Sequence, residues 1–429
     1  MTALTNASAA DEASLTGLDE FFLGIESARR PTHWALVFEL STDGAEITAD
    51  ELTERIRERV ATSGLFRLAL SGTGRRAPRL VEAVDWDPAR NVEICRTVGD
   101  EAGDALVERL MSEPLPRDRP LWRVVAVEQE RPRRRRIVLA VHHCMSDGIA
   151  GAGFARLLAD GDEAGLAHLD RYVDSDRFRW SSPGRAVVSR AARSFVASWR
   201  GARRSPGLAP LASGQRRVRT AAVPAVDFRA SAVANGAGSA DYLLVLVEES
   251  LRRAAEIAGL EPGPGRDGVR VLTPATLDPS LRHTGNAVSM TLVNLTLAPR
   301  SRVDALGEIR AQLVSATESG TQHAIPAVSA LGAHLPWGLR KAASRRTVAT
   351  IRPDIHVGLN PAYHSIRTVL GREVGSIRPV SPLLGNSLSV TSVLTGAELS
   401  VGITWDPVAL GDFGADFAAA LVHAVSVAS

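Results

Sequence analysis

His142-His143-Cys144-Met145-Ser146-Asp147-Gly148 gathers the side chains of this sequence best suited to proton chemistry, and it directly follows the apolar run Ile137 to Val141. An imidazole titrates near pH ~6.5, so around neutrality it can take a proton from an alcohol or amine and return it to a leaving group. Neighbouring side chains on an extended strand point to opposite faces, so one ring can enter a given cavity while the other packs. Asp147 falls where the chain leaves the strand for the helical-looking Ile149 to Asp160 segment, a place where a carboxylate caps backbone N–H groups or pairs with an arginine and fixes the loop. Gly148 withholds a side chain where a bulky substrate has to approach the backbone. Cys144 diverges from the histidines on a strand and reads as a small buried hydrophobe rather than a nucleophile. The chemistry expected is general-base catalysis.

Periodicity outlines the elements that must carry this motif. In the first half, His33 to Leu40 reads as a strand, Ala49 to Ala61 and Asp104 to Met111 as helices, and Leu121 to Glu128 and Arg136 to His143 as a hairpin turning at Glu130 to Arg133. The second half reads as a helix over Ala240 to Ile257, strands over Val269 to Thr273 and Ala287 to Ala298, and helices over Val303 to Glu318 and Ala327 to Ser344. Strands follow at Ile355 to Leu359, Ser376 to Val380, Leu388 to Leu394 and Glu398 to Trp405, before a last helix from Asp412 to Val427. Between the halves, Arg200 to Gly238 trades periodic apolar spacing for Arg, Ser, Gly, Pro and Ala and is expected to be a crossover or linker. Just before it, Arg185 to Trp199 sets Val188, Ala191, Phe195 and Trp199 near one helical face with arginines elsewhere. Such a stripe packs against its own domain or rests on an anionic membrane surface. The expected fold is α/β, of the α+β type, with mixed sheets: an N-terminal subdomain over 1–185, a basic amphipathic helix and crossover over 186–238, and a C-terminal subdomain over 239–429.

Composition narrows the class. At 429 residues the chain exceeds what one hydrophobic core usually supports, and 45% hydrophobic with 23% charged residues is ordinary globular usage. A net charge of +2 without a basic tail gives no case for nucleic acid. Cys95 and Cys144 are too few for a disulfide framework or a zinc site, so no metal and a reducing compartment are expected. No uninterrupted apolar run reaches the ~18 residues of a membrane span, and Met1 to Glu12 lacks a charged start followed by a hydrophobic core. The expected location is cytoplasmic, with peripheral contact at the inner membrane surface as a further option.

The motif resembles the HHxxxDG signature of the CoA-dependent acyltransferase superfamily, which includes chloramphenicol acetyltransferase, peptide-synthetase condensation domains and the bacterial wax ester synthase/diacylglycerol acyltransferases. Leu15-Thr16-Gly17-Leu18-Asp19-Glu20-Phe21-Phe22 resembles the opening of the last group, and Pro114 to Trp122 its Pro-Leu-Trp segment. Gly285-Asn286-Ala287-Val288-Ser289 resembles its Gly-Asn motif, and Pro379-Val380-Ser381-Pro382-Leu383 with Leu388 to Thr404 its closing strands. One departure stands out: where that family carries Asn-Val-Pro-Gly-Pro, this chain has Gly358-Leu359-Asn360-Pro361-Ala362.

The resemblance implies two chloramphenicol-acetyltransferase-like domains meeting along a channel, with acyl-CoA as co-substrate and no bound cofactor. It implies that His143, matching the second histidine, removes the acceptor's proton, that Asp147 is the second catalytic residue of the motif, and that His142 and Gly148 support it. Asn286, whose amide can donate, is the candidate for substrate positioning or oxyanion support; its plainer reading is a turn residue after Gly285. Ser289 and Asn360 are further substrate-binding candidates, and Trp122 is either a wall of the acyl channel or a core residue. The activity implied is acyl transfer from acyl-CoA to the hydroxyl of a hydrophobic acceptor such as a long-chain alcohol or diacylglycerol. The alternatives are a natural-product tailoring acyltransferase, supplied by CoA or an acyl carrier protein, and a catalytically silent binding relative.

Overall fold

The apolar run ahead of the double histidine lies at the centre of a sheet in the computed structural model, which describes residues 12–13, 15–71, 77–83, 85–148, 150–161, 178–201, 208–261, 267–278, 285–360, 366–395 and 397–427. The principal strands are β1 (His33–Leu40), β2 (Val92–Thr97), β3 (Trp122–Gln129), β4 (Arg134–His142), β5 (Arg217–Pro224), β6 (Gly268–Thr276), β7 (Val288–Thr296), β8 (Ile355–Asn360), β9 (Thr368–Val369), β10 (Arg372–Val380), β11 (Leu388–Leu394) and β12 (Glu398–Trp405). They form two six-stranded sheets, in the orders β9-β10-β1-β4-β3-β2 and β7-β6-β8-β11-β12-β5. Both are mixed: β3 pairs β2 in parallel while β4 is antiparallel to both its neighbours, and β8 is parallel to β6 and β11 while β11 is antiparallel to β12. The fold is α/β with helices against mixed sheets.

Alternation explains how β4 delivers its end. Ile137, Leu139 and Val141 enter one buried cluster, while Val138 and Ala140 enter another on the opposite face. A strand covered on both sides reads as a continuous apolar run. Continued past Val141, the same alternation sends the two imidazoles apart.

Helix α1 (Gly17–Ile25) starts at a capping box in which the Thr16 hydroxyl accepts from the Asp19 N–H and Asp19 Oδ2 accepts from the Thr16 N–H at 2.8 Å. The other helices used below are α2 (Gly151–Ala155), α3 (Arg185–Gly201), α4 (Ala225–Ala234), α5 (Ser239–Ile257), α6 (Arg302–Ser319), α7 (Ala324–Gly332) and α8 (Trp337–Ile351).

Three expectations are corrected. Arg200 to Gly238 is no plain linker: it supplies β5, the edge strand beside β12, and helix α4. The segment read as one helix from Ala327 to Ser344 is two, α7 and α8, because Pro336 stops the first course of chain and starts the next at the N-cap of α8. Of the segment expected to be helical from Ile149 to Asp160, only Gly151–Ala155 is α-helical among the described residues, because the glycines at 151 and 153 disfavour a longer run.

Sheet membership does not follow the chain. β9 and β10, from the second half, complete the first sheet beside β1. Where β10 leaves that sheet it passes against β12 so closely that a Cβ on Gly402 would fall 1.8 Å from the Pro379 carbonyl oxygen. The two sheets are joined at that crossing.

Candidate active site

His143 follows the end of β4 and lines a narrow cavity of about 80 Å³ between the two sheets. Trp34 and Leu36 of β1 wall it on one side, Val288 and Met290 of β7 and His356 of β8 on the other. His143 Nδ1 lies 3.0 Å from Asn286 Oδ1, so the ring N–H donates there and Nε2 is left as the basic nitrogen. Phe22 of α1 stacks on the ring, with centroids 3.8 Å apart and planes 9° from parallel. Burial outweighs the favourable carboxylate of Asp147 and holds His143 down at about 4, so the imidazole is neutral at physiological pH.

Asn286 orients that ring. Its amide N–H groups donate to Asp19 Oδ1 at 2.8 Å and to the His143 carbonyl at 2.7 Å, and its own backbone N–H also donates to Asp19 Oδ1, at 3.1 Å. Both side-chain donors are therefore engaged, which removes the reason for expecting this amide to support an oxyanion. Asp19 uses one carboxylate oxygen in the α1 cap and the other on Asn286, so the start of a helix and the aim of an imidazole share one side chain.

His142 points the other way and is buried. Its Nε2 faces Thr32 Oγ1 at 3.0 Å and Glu26 Oε1 at 3.1 Å, while Nδ1 accepts from the Cys144 N–H at 3.1 Å. Burial pushes the Glu26 carboxyl up, but its bonds to His142 and Arg117 win and hold it at about 2. Cys144 is fully buried in the core.

Asp147 latches the motif loop to the second half. One oxygen accepts from the Ala150 N–H at 3.0 Å and the other from the Ala287 N–H at 2.8 Å, while its own N–H donates to the Gly285 carbonyl at 3.1 Å. A brace on the turn leading into α2 and an inter-segment clasp are thereby combined. Gly148 is explained by a neighbour rather than by substrate: a Cβ there would meet Asn360 Oδ1 at 1.9 Å. Asn360 ends β8 in the same cavity and donates to Thr391 Oγ1 at 3.1 Å. Pro361 and Ala362 of the altered motif lie outside the described residues.

Two candidates do not join this group. Ser289 falls between Val288 and Met290 on β7, so alternation turns it to the opposite face from the cavity. Trp122 is a core residue, with its indole N–H donating to the Phe66 carbonyl at 2.8 Å and its ring edge-on to Trp86. Four residues that local reading misses take part: Asp19, Phe22, Glu26 and His356. The only trace of the last is the alternation of His356, Gly358 and Asn360 along β8, which brings all three into the cavity.

Residues 15–171 match the model of the wax ester synthase/diacylglycerol acyltransferase catalytic domain, and the double-histidine loop lies within that span. Over that span, double-histidine motif included, the chain is similar to the wax ester synthase/diacylglycerol acyltransferases. The chain is 26% identical over 436 residues to a probable diacylglycerol O-acyltransferase of Mycobacterium tuberculosis, covering 93% of this chain and 92% of that protein. Among solved structures it is similar to the wax ester synthase/diacylglycerol acyltransferase from Marinobacter aquaeolei VT8, with a TM-score of 0.65 at 18% identity over 96% of this chain and 100% of that one. The first condensation domain of the calcium-dependent antibiotic synthetase matches with a TM-score of 0.60 at 17% identity over 97% of both chains. At those identities the structural likeness speaks to the two-lobed fold.

Proposed function

We propose that the protein transfers an acyl group from acyl-CoA to the hydroxyl of a hydrophobic acceptor, a long-chain alcohol or diacylglycerol, with His143 as general base. The observation that carries this reading is an imidazole held by its Nδ1 at 3.0 Å from Asn286 Oδ1 while it lines a cavity between the sheets, which leaves Nε2 as its basic nitrogen. His143 Nε2 takes the acceptor's proton as its oxygen attacks the thioester carbonyl carbon. The tetrahedral adduct then collapses, the C–S bond breaks, and the proton passes from His143 to the departing thiolate, leaving ester and free thiol. A positioned base of this kind contributes ~100 to 10,000-fold. Trp34, Leu36, Val288 and Met290 give the cavity apolar walls, which suit a hydrophobic acceptor.

A membrane or lipid surface as the source of that acceptor fits helix α3. Its Phe195 and Val196 face an apolar cavity of about 260 Å³ shared with α7 and α8 and lined by the exposed Val328 and Leu335, and Leu331 and Leu339 are exposed elsewhere on those helices. Its Trp199 meanwhile anchors inward, donating to the Ile351 carbonyl at 3.2 Å. Among the described residues no single helix is long and apolar enough to cross a membrane.

The test is release of free thiol by the full-length protein from a panel of acyl-CoAs with and without long-chain alcohols or diacylglycerol. Acceptor-dependent release that is lost in His143→Ala, with folding intact, is the expected result; unchanged turnover in that variant would remove His143 from its role. The narrowness of the cavity at His143 favours a second reading, a short acyl group delivered by an acyl carrier protein, and release confined to an acylated carrier protein would establish it in place of the first.

A further inference from the structure

We propose that His356 is the hydrogen-bond donor that receives the oxyanion formed when the acyl thioester is attacked. The inference rests on the acyl-transfer reading above and adds to it a residue outside the double-histidine motif.

A base alone leaves the negative charge on the carbonyl oxygen uncompensated, and donors aimed at that oxygen supply ~100 to 1,000-fold in kcat. The nearest obvious donors are occupied: both amide hydrogens of Asn286 are engaged, and the Trp34 indole N–H donates to the Ser146 carbonyl at 3.1 Å. Asp147, also at the cavity, uses its carboxylate to accept from backbone. His356 lines the same cavity as His143 but comes from the other sheet, so a carbonyl entering between the sheets meets one imidazole from each side.

The setting of His356 is built. It sits directly opposite Ser389 in the parallel β8–β11 register, and its Nδ1 lies 3.0 Å from Ser389 Oγ. Ser389 Oγ in turn lies 2.6 Å from Ser381 Oγ, on the segment that leaves β10 at the sheet crossing. When Ser381 donates to Ser389 and Ser389 donates to Nδ1, the ring carries its proton on Nε2, the nitrogen turned away from the serines. Gly358 leaves the space the ring occupies, since a Cβ there would press on His356 Cε1 at 3.3 Å. Burial, and secondarily the nearby His143, keeps the ring neutral with a pKa of about 4, so it donates without giving up its proton. In the reaction the N–H bond stays intact: the oxyanion's electron pair returns to the carbonyl carbon, the C–S bond breaks, and the thiolate is protonated by His143.

The experiment compares full-length wild type, His356→Ala, His356→Gln and Asn360→Ala with palmitoyl-CoA and hexadecanol. His356→Ala is expected to lower kcat ~100-fold with KM for the thioester within about threefold of wild type, and the Gln amide, which keeps an N–H, to recover about tenfold or more of that loss. A kcat for His356→Ala within about threefold of wild type, a loss confined to KM, a Gln variant no better than Ala, or a full loss carried by Asn360→Ala in place of His356→Ala overturns the assignment. Failure of the wild type to release thiol from any acyl-CoA or acylated carrier protein sinks the acyl-transfer reading separately. Ring ¹⁵N NMR of wild type, with His356 assigned by its disappearance in His356→Gln, then decides by itself: an Nε2–H tautomer supports the donor and an Nδ1–H tautomer overturns it.

Discussion

His143 owes its aim to neighbours that transfer no proton themselves. Asn286 fixes Nδ1, Asp19 fixes Asn286, and Phe22 covers the ring face. Asn286→Ala should therefore lower kcat by about 100-fold, the scale of a misplaced reacting group, with substrate KM little changed in steady-state assays. The sequence announces the histidines because they are adjacent, but it hides their partners: Glu26 reaches His142 across 116 positions and Asp19 reaches Asn286 across 267. Titration adds a second expectation. Burial, the first cause at each, lowers His33, His143 and His356 from 6.5 to about 4, so between those values the unfolded chain binds protons that the folded one refuses. Stability is thus full above pH 6.5 and falls as the pH drops toward 4. Glu26, held at about 2 against 4.5, contributes above pH 4.5 and is lost only between 4.5 and 2. Urea midpoints should be lower at pH 5 than at pH 7.5; an unchanged midpoint would contradict the burial of these imidazoles.

At the level of the elements, a loop tied to a distant strand does more than either alone. Asp147 binds the Ala150 and Ala287 N–H groups, and Asp147→Ala should cost about 2–3 kcal/mol in denaturant unfolding because two backbone donors lose a charged partner. Gly402→Ala is expected to be worse tolerated than Gly→Ala at an open position, lowering Tm, because Pro379 blocks the new methyl. Strands β11 and β12 and the last helix are legible to the residue, since each has neighbours on both sides and a clear period. Strand β5 is not, because an edge strand of Arg, Val, Thr and Ala, half exposed along its length, has neither a continuous apolar run nor a clean alternation. The α7–α8 break is equally hidden in periodicity, which runs on across Pro336.

For the molecule as a whole, β10 makes each half depend on the other. Fragments 1–238 and 239–429 made separately should fail to give sharp thermal transitions, because the first sheet would lack β9 and β10 and the second would lack β5, whereas co-expression should restore a soluble pair. Independent folding of either fragment, seen as a cooperative melt, would contradict this. The two-sheet layout was readable from element order, but which sheet a strand joins depends on long-range pairing that no local pattern encodes. The same limit applies to the cavity, whose opposing imidazoles come from strands 213 positions apart (356 − 143).

Asp19 holds a helix terminus with one oxygen and an amide with the other. Helix ends are the first parts of a fold to fray on warming, so thermal loosening of the first turn of α1 would release the imidazole's tether while both sheets still stand. Heated stepwise, the protein should go quiet before it melts.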